Sequence, residues 1–405
     1  LKKLKVFHIP SWYPAQGSPL SGLFIREQIN LLAESFPDSV HGVSTWGQND
    51  HRLLLQKEDG FRNFSKFFHC SKKQRRQILA NFVEYFSPAY TWTRKWAGGN
   101  ISGIIKANLQ HLHQFETEFG RPDIIMAHVS YPAGFIAFHL SQQTGIPYVI
   151  SEHMDIFPFP SLADNKRKPI KSIEVALLNA SLIYTPSNSL RMRILAFYPK
   201  LQIDIIPNFL RFSDYTATEY PPSDTLQLAY LGRIEESKGL LLMAEALIGL
   251  PFANWVWVLA GEGPAKTKIQ AKMDAAGLGH KVEWIGLLEG SESKNEFFRR
   301  HCHVFVTPSL HESFGITVLE AAASGRPVIA TRCGGPEEII TSQMGLLIEP
   351  GNVSALKDAL IEMAETLNNY PPAVIHNCIA QRYDVNQVGA IWMQKLQETV
   401  GSKKG

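Results

Sequence analysis

Cysteine is scarce in this chain. Cys70, Cys302, Cys333 and Cys378 are the only four in 405 residues, and they lie far apart. Their spacing argues against a disulfide framework or a cysteine zinc site and makes a reducing cytoplasm the simpler setting. Long apolar runs are missing too. The opening LKKLKVFHIP is basic, but its apolar run ends at Pro10, too short for a signal-peptide core or a bilayer span. No P-loop occurs, and no D-x-D pair is placed to hold a metal, so no metal or other cofactor is expected. A surplus of one charge is also lacking, with 40 Lys and Arg against 37 Asp and Glu, and no nucleic-acid partner is expected. A 45% hydrophobic content fits a globular chain with a sizeable core, and the length favours two domains.

The balance of charge conceals one basic segment. Residues 51–100 carry a local charge of +7, which leaves −4 for the remainder. Phe61, Phe64, Phe67, Phe68, Phe82, Tyr85, Phe86, Tyr90, Trp92 and Trp96 are interleaved with these cations, a mixture suited to anionic head groups or a lipid-diphosphate acceptor. Ile78, Leu79, Phe82 and Phe86 fall at helical spacing and predict a helix capped by Ser71. Its first turn would hold Lys72, Lys73, Arg75 and Arg76 against the helix dipole, so something other than helix stability would have to select them.

The richest stretch runs from Val304 to Glu338, VFVTPSLHESFGITVLEAAASGRPVIATRCGGPEE. Val304–Thr307 reads as a strand buried on both faces, and Pro308 ends its ladder. A polar loop follows, and then Ile316, Leu319 and Ala323 at helical spacing until Gly325. Strand, loop and helix in this order place the loop at the carboxyl edge of a parallel sheet, with helix amides aimed at an anion. Glu312 in the loop and Glu320 on the helix would face one cleft from different depths, which suits a ligand with hydroxyls on both sides of a phosphate.

This segment resembles the E-x7-E motif of retaining GT-B glycosyltransferases, and specifically their large family four. The resemblance implies two Rossmann-like, doubly wound α/β domains facing each other across a cleft. The first, residues 1–210 completed by a crossover helix at 386–405, would bind the acceptor; the second, 211–385, would bind the nucleotide sugar. It also implies roles for single residues. In LGRIEESKGL, Arg233 and Lys238 match the diphosphate site, and two cations five residues apart beside a strand end can grip a diphosphate from two directions. Glu312 would hold the transferred sugar, with Phe314, Gly315 and Ile316 beside it, and Glu320 the ribose. Gly232, Gly261 and Gly263 would line the nucleotide pocket. Leu287 belongs to the loop that passes the base.

In the first half, Leu4–Ile9 reads as a strand, and the Pro/Gly/Ser loop after it reaches a helix at Leu23 through Gly22, which permits close approach to a ligand. Asp123–Ala127 and Pro147–Ser151 read as strands ending at His128 and at Glu152 and His153. TGIPYVISEH resembles the family segment whose histidine contacts the transferred sugar, which assigns that role to His153 and leaves Glu152 without one. His128 is weighted toward a structural role.

The expected activity is metal-independent retaining transfer from a UDP- or GDP-sugar to a glycan or lipid-linked acceptor in cell-surface polysaccharide or glycoconjugate synthesis. The expected place is the cytoplasm, with peripheral contact to anionic membrane through residues 61–96. A sugar-nucleotide epimerase and a noncatalytic nucleotide-sugar-binding protein are the alternatives. The basic aromatic segment speaks for an acceptor, and the presence of all four of Arg233, Lys238, Glu312 and Glu320 speaks for catalysis.

Overall fold

The computed structural model describes residues 3–15, 18–48, 50, 53–55, 72–92 and 97–401. Two compact units emerge: Leu1–Pro186 with Arg191–Ile206 and Gly389–Gly405, and Ser187–Leu190 with Pro207–Val388.

The first half of the chain alternates strand and helix. Its elements are β1 (Lys5–Pro10), α1 (Leu23–Ser35), β2 (Val40–Thr45), β3 (Leu54–Leu55), β4 (Gln74–Leu79), β5 (Phe82–Phe86), β6 (Thr91–Trp92), α2 (Ile101–Phe119), β7 (Ile124–His128), α3 (Phe135–Thr144), β8 (Tyr148–Ser151), α4 (Lys171–Asn179), β9 (Leu182–Thr185), α5 (Asn188–Leu195) and β10 (Asp204–Ile205). The main sheet of the first unit runs β10-β9-β8-β7-β1-β2-β5-β4. Only β4 is antiparallel to its neighbour. Val6, Phe7, Ile9, Ile124 and Ile125 are buried because helices cover both faces of such a sheet. The winding reverses between β1 and β7.

The second half supplies β11 (Leu226–Leu231), α6 (Leu240–Ile248), β12 (Trp255–Ala260), α7 (Lys266–Ala275), β13 (Val282–Gly286), α8 (Gly290–His301), β14 (Val304–Thr307), α9 (Ile316–Ala323), β15 (Val328–Thr331), α10 (Pro336–Ile339), β16 (Gly345–Ile348), α11 (Val353–Thr366) and α12 (Pro372–Tyr383). Its sheet, β13-β12-β11-β14-β15-β16, is parallel throughout and reverses between β11 and β14. The last helix, α13 (Ala390–Gly401), belongs to the first unit, where Trp392 packs on Tyr184.

The helix expected after Ser71 is not formed. Strands β4 and β5 make a hairpin, with Leu79 paired to Phe82 across Ala80–Asn81. Apolar positions at helical spacing also satisfy period two here, and Phe82, Val83, Tyr85 and Phe86 are β-formers. Lys73, Arg75 and Arg76 are exposed on or beside an edge strand, where cations deter pairing with another chain. The conflict with a helix dipole therefore disappears. Of residues 61–96, the predicted membrane-contact stretch, only 72–92 are described; Ser71, Phe61, Phe64, Phe67, Phe68 and Trp96 lie outside the described residues.

Strand β2 left little trace in the sequence because its VHGVST contains a histidine and a glycine. The glycine is required by packing: a Cβ on Gly42 would stand 2.3 Å from the Phe115 ring of α2.

Candidate functional site

In open parallel sheets, ligands bind beyond the carboxyl ends of the strands where the winding reverses. For the second unit that place is between β11 and β14, at the loops 232–239 and 308–315. These loops touch through backbone: a Cβ on Gly239 would lie 1.9 Å from the Pro308 carbonyl oxygen. Lys238 Nζ donates to Glu312 Oε1 at 2.8 Å, and Ser309 Oγ donates to the same oxygen at 2.9 Å. Both members of the Lys238–Glu312 ion pair are mostly buried, at 14% and 15% side-chain exposure. Arg233 is half exposed and pairs with Glu235 at 2.7 Å. Of the two expected diphosphate cations, one thus faces solvent and the other rests on the expected sugar-holding carboxylate.

Gly315 adopts φ 93°, a left-handed conformation, and forms the N-cap of α9. The Val318 and Leu319 amides bond the Gly315 carbonyl at 3.0 and 3.2 Å, while those of Ile316 and Thr317 precede the helix ladder, at a helix end three residues beyond Glu312 that suits an anion. Phe314 is buried against Tyr383, with ring centroids 5.8 Å apart. Gly335 of the next loop donates its amide to the Glu312 carbonyl at 3.1 Å, which ties the loop after β15 to the loop after β14.

Glu320 occupies different surroundings. It is 1% exposed, and its Oε1 accepts from Lys294 Nζ at 2.8 Å and from the Tyr215 hydroxyl at 3.5 Å. Lys294 escaped the sequence reading because GSESKNEFF looks like any solvated helix start; only the fold brings its ammonium to Glu320. Each of the two motif carboxylates therefore has its own lysine.

The glycines expected around the nucleotide also allow close approach within the chain itself. A Cβ on Gly261 would lie 1.9 Å from the Gly232 oxygen, and one on Gly263 2.3 Å from the Ile234 oxygen. Gly232 in turn donates its amide to Ala260 at 3.0 Å. These residues let the loops after β11 and β12 close on one another. Leu287 follows β13 and is 39% exposed. Gly22 also has its close neighbour inside the chain, since a Cβ there would stand 2.2 Å from the Trp12 oxygen.

At the reversal point of the first unit, histidines gather from three adjacent strands and the end of β8. Ser39 Oγ donates to the Phe36 carbonyl at 2.6 Å, so it accepts from His41 Nε2 at 2.7 Å. His41 Nδ1 then accepts from His8 Nε2 at 3.0 Å, and His8 Nδ1 from His128 Nε2 at 3.1 Å. One hydroxyl thus assigns three neutral tautomers in series. Burial first, then the neighbouring histidines, holds His8 and His128 well below the ordinary imidazole range. His153 stacks on His128 at 6.2 Å, hydrogen-bonds Ser151 Oγ at 2.7 Å, and is lowered by burial to about 3. A neutral His153 donates or accepts one hydrogen bond; it does not act as a cation. Among the described residues, no group of three or more His, Cys, Asp or Glu could hold a metal ion.

Two family models match the chain: Glycosyl transferases group 1 over residues 216–370 and Glycosyltransferase Family 4 over residues 88–212. The chain is a GT-B-fold glycosyltransferase related to these two families. It transfers a sugar to an acceptor. A Bacillus subtilis strain 168 protein, "Putative teichuronic acid biosynthesis glycosyltransferase TuaC", is 28% identical over 380 residues, covering 88% of each chain. The fold of this glycosyltransferase is similar to that of sucrose-phosphate synthase from Thermosynechococcus elongatus, with a TM-score of 0.77 at 16% identity over 99% and 100% of the two chains. Anabaena HepE, solved in complex with UDP, has a TM-score of 0.67 at 17% identity over 98% and 100%. No described helix of the glycosyltransferase is long and apolar enough to cross a membrane.

Proposed function

We propose that the donor is a UDP- or GDP-sugar and that the loops at the reversal of the second sheet hold its diphosphate. The observation that carries this reading is the meeting of Lys238, Glu312 and the amino end of α9 at one strand edge, with Arg233 on the same loop as Lys238. On binding, the diphosphate competes with Glu312 for Lys238 and draws in the exposed Arg233, so both cations meet the charge that develops as the sugar leaves. Glu312 then turns to the sugar hydroxyls. Glu320, kept in place by Lys294, accepts from the ribose.

The proposed reaction retains configuration. The bond from the anomeric carbon to the phosphate oxygen breaks, the acceptor oxygen attacks from the same face, and the acceptor proton passes to the leaving phosphate. Glu312 as a covalent nucleophile is the weaker reading, because its carboxylate is committed to the sugar hydroxyls once Lys238 turns to the diphosphate. The acceptor in this reading is a glycan or lipid-linked saccharide. The name of TuaC favours a cell-surface polymer, and the basic edge strand with residues 51–71 and 93–96 favours contact with anionic membrane from the cytoplasmic side. The UDP complex of HepE favours uridine over guanosine.

Calorimetric titration of wild type and of an Arg233→Ala, Lys238→Ala double variant with UDP and GDP, without divalent metal, tests the donor site. Binding of one nucleotide by wild type alone is the expected result. Equal binding by both proteins refutes the assignment of the two cations. Sedimentation with phosphatidylglycerol vesicles at low salt tests the membrane reading, and no co-sedimentation refutes it.

A further inference from the structure

We propose that Glu152 is a positioning residue of the transferase: its carboxylate ties the loop after β7 to the loop after β8 and so fixes where the His128 and His153 rings stand. Glu152 is fully buried. Oε2 accepts from the Ser130 amide at 2.9 Å, while Oε1 accepts from the His153 amide at 2.9 Å and the Met154 amide at 3.1 Å. All three donors are backbone groups on two neighbouring strand ends, each at a histidine or within two residues of one. A carboxylate that serves only to cap its own turn would not reach Ser130, 22 residues away in sequence.

The segment it holds is not relaxed. Val129 has φ 80° and ψ 140°, a region that a β-branched residue rarely enters. It stays there because its amide bonds the Ser151 carbonyl at 2.7 Å and the next amide bonds Glu152. Strain of this sort collects where a neighbouring group has to be aimed. Here it lies between His128, whose Nδ1 is buried without a hydrogen-bond partner, and Ser130. The His128 and His153 rings stack at 6.2 Å and 15°, so a shift of either loop displaces one ring against the other. Burial raises the Glu152 carboxyl above its ordinary range, and the amides oppose that shift by favouring the charged form.

The proposal rests on the reading of His153 as the group that faces the transferred sugar, and a double-mutant cycle separates the two. Release of UDP or GDP, with water as acceptor, is measured from UDP-glucose, UDP-N-acetylglucosamine and GDP-mannose. The proteins are wild type, Glu152→Gln, His153→Ala and the double variant. In parallel, imidazole resonances are recorded on 13C-histidine-labelled wild type and Glu152→Gln. Glutamine keeps the shape but turns an NH2 toward amide donors, so one loop must lose its bond.

Glu152→Gln is expected to lower kcat about 10- to 100-fold with donor KM within about threefold, and to add nothing in the His153→Ala background. It is also expected to move the His128 and His153 resonances while leaving His303 of the second unit in place. Losses that multiply in the double variant, or unmoved resonances, overturn the proposal. If His153→Ala alone leaves kcat unchanged, or wild type hydrolyses none of the three donors, the reading of His153 or of the donor has failed. The resonances then decide: moved in pair they uphold the positioning, unmoved they overturn it. Should Glu152→Gln not fold, Glu152→Asp keeps the charge and the local turn to Met154 but falls short of Ser130, and the same outcomes apply.

Discussion

Acid should unfold the first unit well before it unfolds the second. The relevant groups are His8, His41, His111, His128 and His153, all buried in the first unit. Burial holds His41 and His153 at about 3 and His111 at about 4, and it leads the lowering of His8 and His128. Unfolded, each returns toward 6.5. With the folded pKa depressed, the unfolded state binds more protons, so the stability is complete above about pH 6.5 and drains as pH falls toward the folded values.

From pH 7 to pH 5 one such histidine forfeits about 2 kcal/mol, so His41, His111 and His153 together forfeit on the order of 6 kcal/mol, and His8 and His128 act in the same direction. That sum is comparable to the whole stability of an ordinary domain. Glu152 acts in the opposite sense, because its raised pKa lets the folded state take up a proton first, and it offsets part of the loss near the lower end. In the second unit His303 is the buried histidine that burial lowers. The assay is hydrogen exchange followed by mass spectrometry at pH 7, 6 and 5, corrected for the intrinsic rate. Amides of β1, β2 and β7 should lose protection steeply between pH 6 and 5 while those of β11 and β14 keep theirs. Equal loss in both units, or none, would refute the reasoning. His111→Gln replaces a titrating ring that bonds Ser44 and Ser87 with an amide that can also donate and accept, and should flatten the pH dependence by about 2 kcal/mol between pH 7 and 5.

Three further outcomes follow from local geometry. Arg326 is fully buried with Nε and Nη1 lacking acceptors, so Arg326→Met should leave stability unchanged or raise it by about 1–3 kcal/mol in urea unfolding; a comparable loss would show that its bonds to Thr218 and Glu219 outweigh desolvation. Lys294→Met removes the 2.8 Å ion pair from a carboxylate that is 1% exposed, and thermal unfolding should register a loss of about 3–5 kcal/mol, against under about 1 kcal/mol for Arg233→Ala at its exposed pair. Gly261→Ala brings a Cβ to 1.9 Å from the Gly232 oxygen at φ 136° and should destabilise by more than about 2 kcal/mol, whereas Gly277→Ala, with open space around it, should cost only the strain of its φ.

Much of the second unit was legible because its signals are local. Val304–Thr307, Pro308, Gly315 and the helix after it are contiguous, and a strand, a turn glycine and a helix start each have their own residue preferences. Residues 72–86 were not legible, because one apolar pattern satisfied two periods and only pairing with β2 chose the strand. Glu152 carried no signal of its role, since a buried glutamate looks the same as a solvated one until the loop it holds is in place.

Read alone, the chain determined its class: strand, loop and helix in alternation through both halves, and an E-x7-E segment at a strand edge. The tertiary structure decided which groups meet. Lys238 reaches Glu312 across 74 residues, Lys294 reaches Glu320 across 26, and His8 joins His41 and His128 across 33 and 120. Strand order in a parallel sheet is not chain order, so these partners are set by which strands lie side by side, and local preference holds no record of that.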